Sequence, residues 1–225
     1  MEVIQMGSIK FLTIAAMALT LSGCAASRST FDLSVTQGEH SDAKAYVKLQ
    51  QVADQRRYQV NPSDPSIPSL GNAAQIDDRA ITSRAVARKR NSWGMALSDI
   101  LLPEGRTVER VVREAVTKAL ADKGYAVVEP GDPHYATASP LNVDIQKFWS
   151  WMTPGFFSIS LEFEGTISMQ SDAILDLKQE MVRGYSHGNY FAATDGAWQE
   201  TMQEGMTDLI TKISAKLRKP EELHP

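Results

Sequence analysis

From residue 157 to residue 169 the chain alternates almost without a break. Phe157, Ile159, Leu161, Phe163, Ile167 and Met169 fall on one side; Ser158, Ser160, Glu162, Glu164, Thr166 and Ser168 fall on the other. A period of two predicts a long antiparallel strand with one face in a core and one in water. The stretch before it alternates in the same sense, so that Leu141, Val143, Ile145, Trp149 and Trp151 share a face, and Thr153-Pro154-Gly155 joins the two as a hairpin turn. Shorter strands are expected at 45–52, 125–128 and about 178–185.

In two places the period lengthens to three and four. Val108, Val111, Val112, Ala115, Val116, Ala119 and Leu120 form one apolar stripe, with Pro103 ahead of it and Gly124 behind it as a left-handed cap. Trp198, Met202, Met206, Leu209, Ile213 and Leu217 form another, predicting a last helix over about 195–218. One-sided helices and one-sided strands bury each other. The expected fold class is therefore α+β: a two-layer sandwich of an antiparallel or mixed sheet, about four or five strands, packed against two main helices. Between 57 and 100 periodicity fails. Asn61-Pro62, Asp64-Pro65 and Ile67-Pro68 forbid a continuous helix or central strand there. The segment reads as an irregular basic insertion, with Ile81–Arg90 as a short basic helix.

Upstream of all this lies a different signal. Phe11 to Gly23 carries no charge and follows Lys10. It is too short to span a bilayer, which takes about 20 apolar residues, and has the form of a signal-peptide core. Leu21-Ser22-Gly23-Cys24 reads as a lipobox: an apolar residue and two small ones for signal-peptidase recognition, then the cysteine that takes the lipid. The expected organisation is a lipoprotein signal peptide at 1–23, a flexible tether at 24–44 beginning with lipidated Cys24, and a single periplasmic domain at 45–220. Met6 opens a cleaner signal than Met1, and with Ala25 where an aspartate would resemble the inner-membrane retention signal of enteric bacteria, the residues after Cys24 resemble an outer-membrane lipoprotein. The first expected partner is thus the lipid bilayer, through acylated Cys24.

Composition narrows the chemistry. There is one cysteine in 225 residues, so no intramolecular disulfide and no cysteine cluster for zinc. His40, His134, His187 and His224 lack the close spacing of a metal site, and no glycine-rich phosphate loop occurs, so neither metal nor cofactor is expected. A formal net charge of -4 argues against nucleic acid as a partner. Ser186-His187 with Asp195 invites a hydrolase reading, but adjacent strand residues point to opposite faces, and no Gly-x-Ser-x-Gly elbow exists. No enzymatic activity is expected.

Three groups remain as candidate sites. Asp54 and Arg56 form either a structural ion pair or a grip for a carboxylate or phosphate. Arg84, Arg88 and Arg90, with Arg79 and Lys89, are the densest positive cluster, suited to anionic headgroups or to a solvated face. Phe148, Met152 and Phe156 crowd the hairpin turn on the parity opposite Trp149 and Trp151; without a bulge they make an exposed patch for a partner. Such a partner would be another envelope protein.

The lipobox, Ala53-Asp54-Gln55-Arg56 after the first strand, the Asp122-Lys123-Gly124-Tyr125 helix-to-strand junction and the long strand 157–169 together resemble the YajG-like lipoproteins, a family of small bacterial outer-membrane lipoproteins without an assigned activity. The resemblance spans most of the mature chain and implies a non-enzymatic binding or scaffold role in the envelope. A looser likeness is to auxiliary lipoproteins of ABC-type lipid transport systems, which implies an apolar ligand between helix and sheet.

Overall fold

The computed structural model describes residues 28–36, 43–91 and 93–223. Cys24 and the expected recognition residues Leu21, Ser22 and Gly23 lie outside them. The described chain is mixed α/β: four α-helices and an open mixed sheet of eight strands, with a further two-stranded pair. In chain order these are β1 (Ser29–Thr30), β2 (Ala45–Asp54), β3 (Gln59–Val60), β4 (Ser69–Leu70), α1 (Ala73–Asp77), α2 (Arg79–Thr82), β5 (Ala85–Arg90) and β6 (Ala96–Leu101). After them come α3 (Val108–Asp122), β7 (Tyr125–Val127), β8 (Ser139–Pro154), β9 (Ile159–Gln170), β10 (Gln179–Tyr190) and α4 (Asp195–Lys216).

β8 is the spine. One of its edges carries antiparallel β9, with antiparallel β10 beyond. Its other edge is shared: β2 runs parallel along Ser139–Ile145, with β7 outside it, and β5 runs parallel at Ser150, with β6 and then β1 outside. The sheet thus has eight strands where four or five were expected. The additions come from segments whose polarity hid them, β1 in the expected tether and β5–β6 in the expected insertion. The basic run 81–90 is not a helix: a helical turn ends at Thr82 and Ala85–Arg90 is a strand.

α3 and α4 cover one face. Thr107 caps α3 by accepting from the Arg110 amide, Thr194 caps α4 by accepting from the Ala197 amide, and Gly124 ends the first helix at φ 96°. α4 lies hard against β9 and β10 because glycine permits it. A Cβ on Gly184 would sit 2.4 Å from the Leu209 Cβ, and one on Gly205 would sit 2.2 Å from Phe163. Val112, Val116, Leu141, Phe163, Ile167 and Leu209 are all fully buried, so the space between helices and sheet is filled by side chains.

One bulge decides the other face. The β8–β9 register shifts between Ile145 and Lys147, which flips every later side chain of β8. Leu141, Val143 and Ile145 therefore share the helix-side core with Phe148 and Met152, not with the tryptophans. Trp149 and Trp151 face the opposite side, where residues 58–85 cover them through Tyr58, Leu70, Ile76, Ile81 and Ala85. Phe148 and Met152 are consequently core residues and not an exposed patch; Phe148 meets Phe163 edge-on at 4.9 Å. Phe157, expected inside, lies before β9 begins and is exposed.

Residues 28–36, expected as part of a loose tether, are docked. β1 pairs with β6, Leu33 is fully buried, Gln199 and Gln203 of α4 donate to the Asp32 and Ser34 carbonyls, and Arg106 binds Asp32. No described helix is long and apolar enough to cross a membrane.

Candidate functional site

The strand directions bring distant parts of the chain to one end of the sheet. β5 and β8 run parallel and stop at Arg90 and Pro154; β9 starts and β10 stops at the same level, through the pairs Pro154↔Ile159 and Tyr190↔Ile159. The two hairpin tips and the end of β10 therefore lie together. They carry most of the large exposed apolar side chains: Trp93 (82% exposed) and Met95 on one tip, Phe156 (92%) and Phe157 on the other, and Phe191 after β10. Phe156 and Phe157 pack edge-on against each other at 4.5 Å. Exposure of this kind, concentrated at one end, marks a contact surface.

The β5–β6 tip is held in shape. Asn91 Oδ1 accepts from the amides of Trp93 (3.0 Å) and Met95 (2.9 Å), and the Asn91 amide donates to the Met95 carbonyl. Gly94 sits at φ 78°, where glycine is at ease. Trp93, with its amide held by Asn91, is exposed on this tip.

Beside this rim opens a cleft of about 770 Å³, between the Asn61–Pro65 segment, the β5–β6 tip and the end of β8. Among the described residues its charged lining consists of Arg88 and Arg90, with no carboxylate. The apolar part of the wall is Pro62, Pro65, Trp93, Met95, Met152 and Pro154. Arg88 is nine-tenths buried; its Nε lies 3.7 Å from Asp99 Oδ1, and neither Nε nor Nη1 reaches a hydrogen-bond acceptor among the described residues. Arg28 shares the same carboxylate at 3.5 Å. Arg90 donates to the Gly94 carbonyl at 3.0 Å and makes long contacts to the Pro62 carbonyl and Ser69. Two guanidinium groups, Arg88 and Arg28, thus share one buried acid, while Arg90 feels the Arg88 charge and, oppositely, that of exposed Asp64. Burial pushes the Asp99 carboxyl up in spite of Arg88 and Arg28, while burial and the neighbouring Arg88 charge push Arg90 down. The charge left over is positive.

The expected site residues separate accordingly. Arg88, Arg90 and Met152 meet at the cleft, and Phe156 stands on the adjoining tip. Arg84 lies elsewhere, its Nε bound to the Leu102 carbonyl. Phe148 is in the core. Asp54 and Arg56 form a buried pair: Arg56 spends all five N–H groups within the fold, on both Asp54 oxygens (2.8 and 2.7 Å) and on the carbonyls of Ala85, Phe148 and Thr82. It has no donor left for a ligand. Ser186 donates to the Thr201 carbonyl beneath α4, His187 is exposed on the opposite face, and Asp195 pairs with Lys89. The hydrolase constellation does not assemble. Trp93, Met95, Phe157, Phe191, Asp99 and Arg28 were not singled out from sequence.

No family model and no curated protein matches the chain. Among solved structures, it is similar to protein XCC0632 from Xanthomonas campestris, described with the family model DUF330, at 14% identity over 83% of this chain and 92% of that one, with a TM-score of 0.43. An uncharacterised protein is similar at 11% identity over 84% and 95%, with a TM-score of 0.38. Overlap at this level carries no functional argument, and the YajG-like family does not appear in either description.

Proposed function

We propose that this chain is a lipid-anchored, non-enzymatic binding protein of the bacterial envelope, and that it works with the cleft end of its sheet turned toward the bilayer holding its anchor. The observation that carries this reading is the direction of β1. It runs parallel to β6, with Ser29 opposite Ile100, so the chain before it arrives from the end where β6 begins at Ala96. Three residues lie between Cys24 and Arg28, four steps of chain, so the anchor is tethered within about 14 Å of Arg28 at 3.3–3.6 Å per residue. Arg28 contacts Asp99, three residues from the start of β6 at Ala96. In this proposal the acyl chain on Cys24 and the Trp93–Phe156–Phe191 rim meet the same bilayer.

The exposed aromatics support the same reading, since Trp and Phe at such a rim suit a bilayer interface. The YajG-like pattern at Asp54–Arg56 and Asp122–Tyr125 agrees with a quiet envelope module. A ligand held between helix and sheet, the form suggested by lipid-transport auxiliary lipoproteins, would have to displace a filled core. Labelled palmitate should enter the protein in growing cells and the protein should fractionate with membranes, while Cys24→Ala should lose both. A Cys24→Ala chain that still sediments with envelopes would end the proposal.

A further inference from the structure

We infer that the Arg88–Arg90 cleft is a binding site for the phosphodiester headgroup of an acidic phospholipid, with the acyl chains leaving past Trp93 and Met95. The inference rests on the orientation proposed above, and it adds an occupant to that surface.

Three observations converge on it. The cleft is charged on one side only. Among the described residues Arg88 and Arg90 line it without a carboxylate; Asp99 behind them is shared between Arg88 and Arg28, and exposed Asp64 acts on Arg90 from the adjoining segment. Arg88 is held nine-tenths buried, its enclosed Nε and Nη1 reach no hydrogen-bond acceptor among the described residues, and the Asp99 Oδ1 that faces Nε at 3.7 Å is equally without a hydrogen-bond partner. The ion pair is loose, and the guanidinium charge beside the cleft is suited to a phosphate. The rest of the wall is apolar and continues into the exposed rim. Pro62, Pro65 and Met152 lie inside, while Trp93 and Met95 stand 82% and 60% exposed at the mouth. A cleft of about 770 Å³ greatly exceeds what inorganic phosphate would fill. An amphiphile matches both halves: its phosphate meets the arginines, its first methylenes meet proline, methionine and tryptophan. The orientation proposed above selects the source, since a mouth turned toward a bilayer meets such amphiphiles where they are concentrated.

Lys89, between the two arginines, points the other way and is occupied by Ser29 and Asp195. The two-residue spacing of Arg88 and Arg90 is therefore what places both on the cleft side. A bidentate donor is required of neither; each supplies a charge at the headgroup.

The test uses the mature acylated protein in nonionic detergent, titrated with dihexanoyl phosphatidylglycerol, dihexanoyl phosphatidylcholine or inorganic phosphate. Tryptophan emission is the readout, and Trp93→Phe assigns the signal to the rim. Phosphatidylglycerol should bind more tightly than phosphatidylcholine by roughly fivefold per arginine, the equivalent of about 1 kcal/mol each. Arg88→Gln and Arg90→Gln should each remove their share of that preference; Arg90, the less buried of the two, keeps the test valid if Arg88→Gln lowers stability. Equal binding of the two lipids, an unchanged preference in both variants, or inorganic phosphate binding as tightly as phosphatidylglycerol would each overturn the inference. Because no bilayer is present, these outcomes are independent of how the domain is oriented on a membrane.

Discussion

Replacing Arg56 with alanine should be among the most damaging single changes in the molecule. The guanidinium is fully buried, its partner Asp54 is 8% exposed, and the pair ties β2 to the Phe148 carbonyl of β8, the Ala85 carbonyl of β5 and the Thr82 carbonyl at the end of α2. Removing one member of a buried pair leaves the other charge uncompensated, which costs about 3–5 kcal/mol. The Tyr58 hydroxyl still donates to the Thr82 and Ala85 carbonyls, at 2.9 and 3.1 Å, so those two are not fully stranded. Among the described residues the Asp54 carboxylate retains only the Arg56 amide, and it supplies most of the penalty. Arg56→Lys keeps the charge but offers three donors in place of five, and should lose about 1–3 kcal/mol. Asp54→Asn combined with Arg56→Met should cost less than the two single changes added, with a coupling of about 0.5–3 kcal/mol. Urea unfolding followed through the buried indoles of Trp149 and Trp151 reads all five variants, the two single changes of the cycle included. The midpoint should fall with an unchanged slope. A loss below about 1 kcal/mol for Arg56→Ala would refute a structural role and return the pair to consideration as a ligand grip.

The corrected positions at the hairpin make a second contrast: Phe148→Ala should cost about 3–5 kcal/mol as a cavity-forming change, whereas Phe156→Ser, on a fully exposed tip, should move the unfolding midpoint by no more than about 0.5 kcal/mol. Gly184→Ala forces a methyl into the backbone of α4 and should destabilise by about 1–3 kcal/mol or more, since no flexible side chain can yield there; an unchanged melting temperature would contradict the close helix–sheet approach. Acid should also destabilise the fold. The Lys89 bond holds the Asp195 carboxyl below its usual range, and in Glu164 the pull of Arg183, Lys147 and Thr166 outweighs a burial that alone would raise it. Folded values below the unfolded ones mean a contribution present above about pH 4 and lost as pH falls through the folded values. Asp99, raised by burial, works in the opposite sense. Thermal unfolding should therefore weaken below about pH 4, and Lys89→Met should flatten that decline; a melting temperature rising on acidification would show that Asp99 dominates instead.

The parts of the fold that follow from a single periodicity were readable from the residues. α3 and α4 and the strand at β9 have stripes long enough to fix type and face, and Gly124 was legible as the end of α3, whereas the caps Thr107 and Thr194 were not read. What failed did so for nameable reasons. β5 reads Ala-Val-Ala-Arg-Lys-Arg, and its arginines alternate with Lys89 and not with apolar residues, so it carries no strand pattern. The bulge between Ile145 and Lys147 adds one residue that no composition marks, yet it exchanges the faces of Phe148, Trp149, Trp151 and Met152. Leu33, with Phe31 and Val35 packed beside it, anchors residues 28–36, an alternation of three apolar residues too short to mark a strand in a polar segment. The cleft depends on three segments far apart in the chain. Arg88, Arg90, Met152 and Phe156 were visible as members of separate groups, but only the parallel pairing of β5 with β8 brings them to one end.

The central claim is that the end bearing Trp93, Phe156 and Phe191 faces the membrane in which the anchor sits. Trp93 is exposed, whereas Trp149, Trp151 and Trp198 are buried, so it reports on that end alone. The acylated protein reconstituted into vesicles containing lipids brominated along their chains should show quenching of Trp93, absent in Trp93→Phe. Trp93 emission unchanged by brominated lipid, in protein that remains bound to the vesicles, would mean that the domain stands with this end away from the bilayer.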